Sequence, residues 1–188
     1  KNNCKNFFVA TLDERIRLNN KNKNIKIFVL NGIQNYNLEL FHKYNLTPII
    51  NTLDEFKRII KGNIKFGLHI DTGINRLGID YRELPVTAFN SNKICAVISH
   101  LSSADQKNNK YNNLQKTRFI NITKKFKFQN ILFSLANSNG SALSKTFLFD
   151  MIRPGIGLYG GSNKTSFLKN KIYPVIILSA KIIQIKII

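Results

Sequence analysis

The sequence predicts an α/β fold on a parallel sheet, either doubly wound or a (β/α)8 barrel. Three observations carry that prediction. Short apolar runs alternate with amphipathic stretches along most of the chain. The runs are near-continuous rather than alternating, which is how strands buried on both faces read. Seven such β-then-α steps occur before position 161, one fewer than a closed barrel needs.

Strands are expected at residues 7–11, 25–30, 47–51, 66–71, 94–100, 131–136 and 151–156. The first helix spans 12–20, with Leu12, Ile16 and Leu18 turned inward. A second spans 36–45, where Leu38, Leu40 and Phe41 are apolar. A third starts at Thr52, a hydroxyl N-cap followed by Asp54 and Glu55, and Phe56, Ile59 and Ile60 form its apolar face. A short helix ends around 88–92. The longest covers 112–128 with Leu114, Phe119, Ile120 and Ile122 apolar, and a helical turn is expected at 141–146. Beyond Gly161 the pattern turns β-rich without helices. The expected division is therefore a barrel over 1–161 and the beginning of an all-β domain over 162–188.

Composition narrows the class. The chain has 188 residues, 43% of them hydrophobic, enough for one sizeable core. That excludes a disulfide mini-protein, a collagen-like repeat and a disordered chain. No apolar run reaches the roughly 18 residues that span a bilayer. The longest, from Tyr173 onward, is broken by Pro174, Ser179, Lys181, Gln184 and Lys186. The net charge of +19 comes mostly from scattered lysines alongside abundant Asn and Ile. That mixture reads as compositional drift at tolerant surface positions rather than a nucleic-acid face, which would gather its charge in a stripe. Neither nucleic acid nor membrane is expected as a partner. Cys4 and Cys95, two and far apart, suggest a reducing compartment, and a cytoplasmic location is expected. The chain opens without Met and closes inside an apolar run, so it is expected to be an internal fragment.

Working residues of a (β/α)8 barrel sit at the C-terminal ends of its strands. After the strand ending at Asp71 comes Thr72-Gly73-Ile74-Asn75-Arg76-Leu77-Gly78. After Ile98 come Ser99 and His100, and after Leu135 come Ala136-Asn137-Ser138-Asn139-Gly140. The last expected strand carries Arg153-Pro154-Gly155-Ile156-Gly157-Leu158-Tyr159-Gly160. Taken singly, a histidine after a strand is usually structural, an arginine there a surface ion pair, and Asn-Ser-Asn-Gly a turn. Together at one mouth they suit an anionic, planar ligand. Glycine backbone N–H groups and a serine hydroxyl can approach a phosphate, and two guanidinium forks suit a carboxylate or a ring acceptor.

These stretches, with Phe8-Val9-Ala10-Thr11-Leu12-Asp13-Glu14 and His69-Ile70-Asp71, resemble the alanine racemase family over essentially the whole chain. The resemblance implies a TIM-type (β/α)8 barrel, with strands two to eight present here, followed by a β domain. It implies pyridoxal 5′-phosphate as cofactor, alanine as substrate, a homodimer when complete, and a supply of D-alanine for peptidoglycan. Residue by residue, Arg76 matches the arginine that contacts the cofactor's phenolic oxygen and the substrate carboxylate. His100 matches a supporting histidine that hydrogen-bonds toward the catalytic tyrosine. Ser138 matches a phosphate ligand, with Asn137 its neighbour, and Arg153 matches the arginine facing the pyridine nitrogen. Gly155 and Ile156 match the backbone N–H groups that hold the phosphate.

A guanidinium with pKa above about 12 does not give its proton to a pyridine nitrogen. The ring then stays a weaker electron sink, which favours reprotonation at Cα and hence racemisation. The Schiff-base lysine and the catalytic tyrosine implied by the resemblance are absent, so the fragment alone is expected to be inactive. Two positions depart from the pattern. His69 stands where many relatives carry a modified lysine that supports the arginine equivalent to Arg76. Ser134 stands where relatives often have a histidine beside the arginine equivalent to Arg153. The alternative expectations are a racemase of another or broader amino-acid range, such as serine, and a non-catalytic remnant that binds the cofactor.

Overall fold

The computed structural model describes residues 4–17, 25–34, 38–128, 130–161 and 173–186. Its strands are β1 (Asn6–Val9), β2 (Lys26–Val29), β3 (Leu46–Ile50), β4 (Phe66–Asp71), β5 (Ile79–Asp80), β6 (Ile94–Ile98) and β7 (Leu132–Ser134). Its α-helices are α1 (Leu12–Arg17), α2 (Leu38–Lys43), α3 (Leu53–Ile59), α4 (Val86–Phe89) and α5 (Lys110–Thr123). All strand pairs are parallel, in the order β1-β2-β3-β4-β6-β7, so the sheet is a curled, partial barrel built in chain order.

Alternation along each strand splits the apolar side chains between two clusters. The larger lies between sheet and helices, with Phe66, Leu68 and Ile70 of β4 against Phe56 and Ile59 of α3 and Phe119 and Ile122 of α5. The smaller consists of strand residues alone, Phe28, Ile49, Ala96 and Ile98, with Phe8 stacked on Phe28 at 4.8 Å, and fills the inside of the curl. β4 is buried along nearly its whole length, as its continuous apolar run requires, whereas β1 is an edge strand and exposes Phe7.

The expected cap of α3 is present. The Thr52 hydroxyl accepts the N–H of Glu55 at 3.1 Å. The Glu55 carboxylate in turn accepts the N–H groups of Asn51 at 2.8 Å and Ile33 at 2.9 Å, tying the loops after β2 and β3 together.

Four expectations change. The strand expected at 151–156 does not form. Asp150 N–H donates to Phe133 O and Arg153 N–H to Ala136 O, a parallel track beside β7, but Pro154 has no N–H to extend it. The chain turns instead into a 3-10 turn, Ile156–Tyr159. The two-residue strand β5, which pairs with the end of β4, was not anticipated. α2 and α5 end earlier than expected, at Lys43 and Thr123; Leu114 on α5 and Ile16 on α1 are exposed, and the turn at 141–146 is two 3-10 turns, Gly140–Ala142 and Lys145–Phe147. Leu18 and residues 162–172 lie outside the described residues. The described residues 173–186 are exposed and carry no strand, with Val175 N–H to Tyr159 O their backbone bond to the rest. A strand needs a neighbour for its N–H and C=O groups, and none of the described strands lies beside this stretch.

Candidate active site

The loop after β4 carries Arg76. Asp71 Oδ1 accepts the N–H groups of Gly73 at 2.7 Å and Ile74 at 2.9 Å, which turns the chain sharply off the strand. Gly73 sits at φ +132°, and a Cβ there would collide with the Tyr111 hydroxyl. α5 grips the same loop: Tyr111 Oη donates to Gly73 O at 3.0 Å and Arg118 Nη1 to Thr72 O at 2.8 Å. β5 then pairs with β4 and closes the loop. Arg76 itself is exposed and has no hydrogen bond to the described residues. The two acids of this segment are engaged elsewhere, Asp71 by N–H groups and Asp80 by the exposed Arg82 guanidinium at 2.6 and 2.9 Å.

His100 follows β6. Its backbone carbonyl accepts from Gln115 Nε2 at 3.0 Å, and Gln115 also reaches the Thr72–Ser99 hydroxyl pair, itself 2.8 Å apart. This buried network ties the loops after β4 and β6 to α5. The His100 ring faces Asn137, with Nε2 and Nδ2 at 3.3 Å. Asn137 Oδ1 accepts from Gly140 N–H, so its Nδ2 donates and His100 Nε2 accepts. Burial first, and then the charges of Arg153 and Arg76, lower the His100 pKa from 6.5 to about 4. At neutral pH this imidazole is uncharged.

Ser138 follows β7 and is 5% exposed. Its Oγ accepts two backbone N–H groups, from Gly155 and Gly157, each at 3.0 Å, which leaves its own proton free to donate. Nothing lies within 4 Å of the position where a Gly155 side chain would be. Ile156 is exposed beside it. Arg153 is held by backbone and hydroxyl oxygens: Nη1 donates to Ser134 O at 2.9 Å and to Ser134 Oγ, and Nη2 donates to Ser99 O. Ser134 Oγ donates a hydrogen bond to Met151 O at 2.6 Å and so offers Arg153 a lone pair. Burial pulls the Arg153 guanidinium down to about 10.

Arg76, His100, Asn137, Ser138, Arg153, Gly155 and Ile156 therefore all gather at the C-terminal ends of β4, β6 and β7. Neither Arg76 nor Arg153 forms an ion pair with a carboxylate among the described residues. The mouth is thus positive, with two guanidiniums, a neutral histidine and a serine hydroxyl whose proton is free to donate. Such a set binds a planar anion. A separate cleft, lined by Lys26, Thr47, Lys65 and Cys95, opens at the N-terminal ends of the strands, the end that serves stability in barrels.

Three contributors were not singled out from the sequence. Ser99 and Gln115 hold Arg153 and the His100 loop. Asn51, at the end of β3, donates to Leu30 O at 2.8 Å and Ile49 O at 3.0 Å and meets His69 Nδ1 at 2.9 Å. Reading the residue after each strand, applied to β3 as to β4, finds Asn51.

Residues 1–163 match the family model described as alanine racemase, N-terminal domain. The chain is 36% identical over 170 residues to an alanine racemase of Rickettsia typhi, covering 84% of this chain and 42% of that protein. It is similar to the crystal structure of alanine racemase from Bartonella henselae with covalently bound pyridoxal phosphate (TM-score 0.73, 30% identity), covering 84% of this chain and 49% of that one. It is also similar to a histidine racemase from Leuconostoc mesenteroides (TM-score 0.68, 25% identity), covering 82% and 45%. The chain spans about half the length of the relatives it matches. A partial parallel barrel whose mouth gathers two unpaired guanidiniums and a serine cradle, matched over residues 1–163, places this chain in the alanine racemase N-terminal domain family.

Proposed function

We propose that this chain is the barrel part of a pyridoxal 5′-phosphate-dependent alanine racemase, and that the whole protein interconverts L- and D-alanine. The observation that carries the reading is the positive mouth: Arg76, His100, Ser138 and Arg153 converge there with no carboxylate competing for the two guanidiniums. The donor set fits the cofactor. The Ser138 hydroxyl and the N–H of Ile156 would hold the phosphate, with the Gly155 N–H, which donates to Ser138 Oγ here, joining them by exchanging that partner, and the open space at Gly155 leaves room for it. Arg153 would face the ring nitrogen and Arg76 the phenolic oxygen. When bound, pyridoxal phosphate supplies the electron sink for the charge left at Cα.

This chain's residues have defined tasks in that setting. Arg153 only donates, stays charged at neutral pH and would leave the ring nitrogen unprotonated. His100 stays neutral and is oriented by Asn137. Arg76, exposed and unengaged, presents a fork to the substrate carboxylate. The two groups that would move the α-proton in this reading, a lysine and a tyrosine, are not among Arg76, His100, Ser138 and Arg153, whose part is to bind and orient. A homodimer, a cytoplasmic location and a supply of D-alanine for peptidoglycan complete the proposal. Among the described residues, no helix is long and apolar enough to cross a membrane.

The similarity to a histidine racemase favours one second reading, a racemase of another amino acid on the same barrel. The test is to express the full-length gene product and offer it L-alanine, L-serine and L-histidine in parallel, following loss of optical rotation. Alanine turning over fastest supports the proposal. Preference for another amino acid installs the second reading, and no racemisation of any, with the cofactor still bound, leaves a non-catalytic binding remnant.

A further inference from the structure

The cleft at the N-terminal ends of the strands has a volume of about 560 Å3 and lies at the opposite end of the sheet from the mouth. Strand alternation explains what lines it. Phe28 and Ile49 point into the curl, and a Cβ on Gly67 would meet the Ile49 side chain there. Two residues earlier on each of these strands, the same face carries Lys26, Thr47 and Lys65, and all three line the cleft. The inner apolar layer of Phe28, Ile49, Ala96 and Ile98 therefore has the mouth at one end and a polar floor at the other.

This floor does more than close the curl. Lys26 and Lys65 share one cavity, no Asp or Glu lines it, and neither lysine forms an ion pair among the described residues. Lys93, just ahead of β6, shows the contrast: its ammonium donates to Ile60 O at 2.8 Å and Gly62 O at 2.7 Å. Cys95 lines the same cleft, where burial raises its pKa and the charges of Lys26 and Lys65 pull it back. Two like charges on one cavity repel, and an anion between them turns that repulsion into two attractions.

The lining also selects the kind of anion. An ammonium is a compact point charge that suits a tetrahedral phosphate, whereas a planar carboxylate is matched best by a guanidinium fork, and no arginine lines the cleft. Two ammoniums call for at least two negative charges. The Thr47 hydroxyl and the Asn63 amide add uncharged donors, and Phe41 and Ile64 supply an apolar wall. The volume falls within the roughly 300–1,000 Å3 of small-molecule clefts, well beyond the size of one phosphate group. We propose that this cleft binds a small organic phosphate: Lys26 and Lys65 hold the phosphate oxygens, and the apolar wall takes the organic body. The site is independent of the reaction at the mouth.

The test is isothermal titration calorimetry on the full-length protein, saturated with pyridoxal phosphate so that the mouth is not offered to the probe. The probes are pyrophosphate, ADP and adenosine. The expected result is one saturable site for ADP, weaker binding of pyrophosphate, and none of adenosine. Lys26→Gln and Lys65→Gln change exposed side chains, and urea denaturation checks that both variants stay folded. Each raises the Kd for ADP about tenfold or more, the loss of one hydrogen bond to a charged group. Lys65→Arg, which keeps the charge, retains most of the affinity. Ser138→Ala, at the mouth, leaves the Kd for ADP unchanged. Absence of saturable ADP binding, a Kd indifferent to both glutamine variants, or a Kd that rises in Ser138→Ala instead overturns the proposal. Binding of polyuridylate with no binding of ADP or pyrophosphate also overturns it and makes the floor a nucleic-acid face. A protein that racemises no amino acid refutes the proposed function and leaves these titrations to decide the floor.

Discussion

Replacing Arg153 by methionine should separate stability from binding. The guanidinium makes three hydrogen bonds, but their loss is unevenly felt. Ser134 O keeps the N–H of Ser99 at 3.0 Å, and the Ser134 hydroxyl keeps Met151 O. Only Ser99 O is left without a partner, which costs roughly 1–3 kcal/mol. Against this stands the desolvation of the cation. A pKa lowered to about 10 corresponds to roughly 2–3 kcal/mol once solvent on the open side of this half-buried group is counted. The sign follows from the direction. A cation whose folded pKa is depressed opposes folding at neutral pH, and the penalty fades only as pH rises through about 10. The two contributions nearly cancel, so Arg153→Met should change unfolding free energy by less than about 2 kcal/mol in urea denaturation at constant m. Arg153→Lys should be worse than Met, because it keeps a buried charge and loses the fork. Cofactor affinity, followed by absorbance titration, should fall in both. A loss above about 4 kcal/mol in the Met variant, or a Lys variant as stable as wild type, would refute this bookkeeping and make Arg153 a structural pillar first.

Three further outcomes are expected. Gly73→Ala forces a side chain into φ +132° and against the Tyr111 hydroxyl; strain of about 1–3 kcal/mol loosens the Arg76 loop, and the KM for substrate rises while cofactor affinity holds. Ser138→Ala strands the N–H groups of Gly155 and Gly157 and lowers cofactor affinity by roughly 10- to 100-fold, as for a hydrogen bond to a charged group; unchanged affinity in a fluorescence titration would remove Ser138 from the phosphate cradle. His69 and His100, with folded pKa values lowered to about 3 and about 4 from 6.5, bind fewer protons folded than unfolded. Their neutral forms therefore support the fold fully above about pH 6.5, and stability falls as pH drops toward 4, by up to about 1.4 kcal/mol per pH unit for each group. His69→Gln should flatten that slope in denaturation curves measured from pH 4 to 7.

What the sequence disclosed about this molecule follows the range of the forces involved. Burial on both faces leaves a local mark, so the run from Phe66 to Asp71 could be read as a central strand without its neighbours. The Thr52–Glu55 spacing likewise marked a helix start, because a cap is completed within one turn. The strand expected at 151–156 was misread for the converse reason. Its apolar residues look like a strand, but Pro154 withholds the N–H that a ladder needs, and the loop after it serves Ser138 instead.

The site divides along the same line. Residues that present groups to a ligand sit at predictable places, the ends of parallel strands, and Arg76, His100 and Ser138 were legible there. Residues that hold those groups are chosen by register, which sequence spacing does not reveal. His69 lies beside Ile98, and Ile98 beside Ser134, while Asn51 meets His69 across 18 positions of chain. The pairing of Arg153 with Ser99 spans 54. Each partner alone is an ordinary polar residue at the end of a strand. Only the sheet that aligns them makes one amide fix a histidine's tautomer, or one serine hydroxyl carry an arginine. The two departures from the family pattern, His69 and Ser134, both fall in this supporting row on the inner face. At Ser134 the arginine it touches, Arg153, is kept while the group beneath it has changed. Arg153 needs an acceptor under it more than it needs a particular side chain, and the Ser134 hydroxyl meets that requirement.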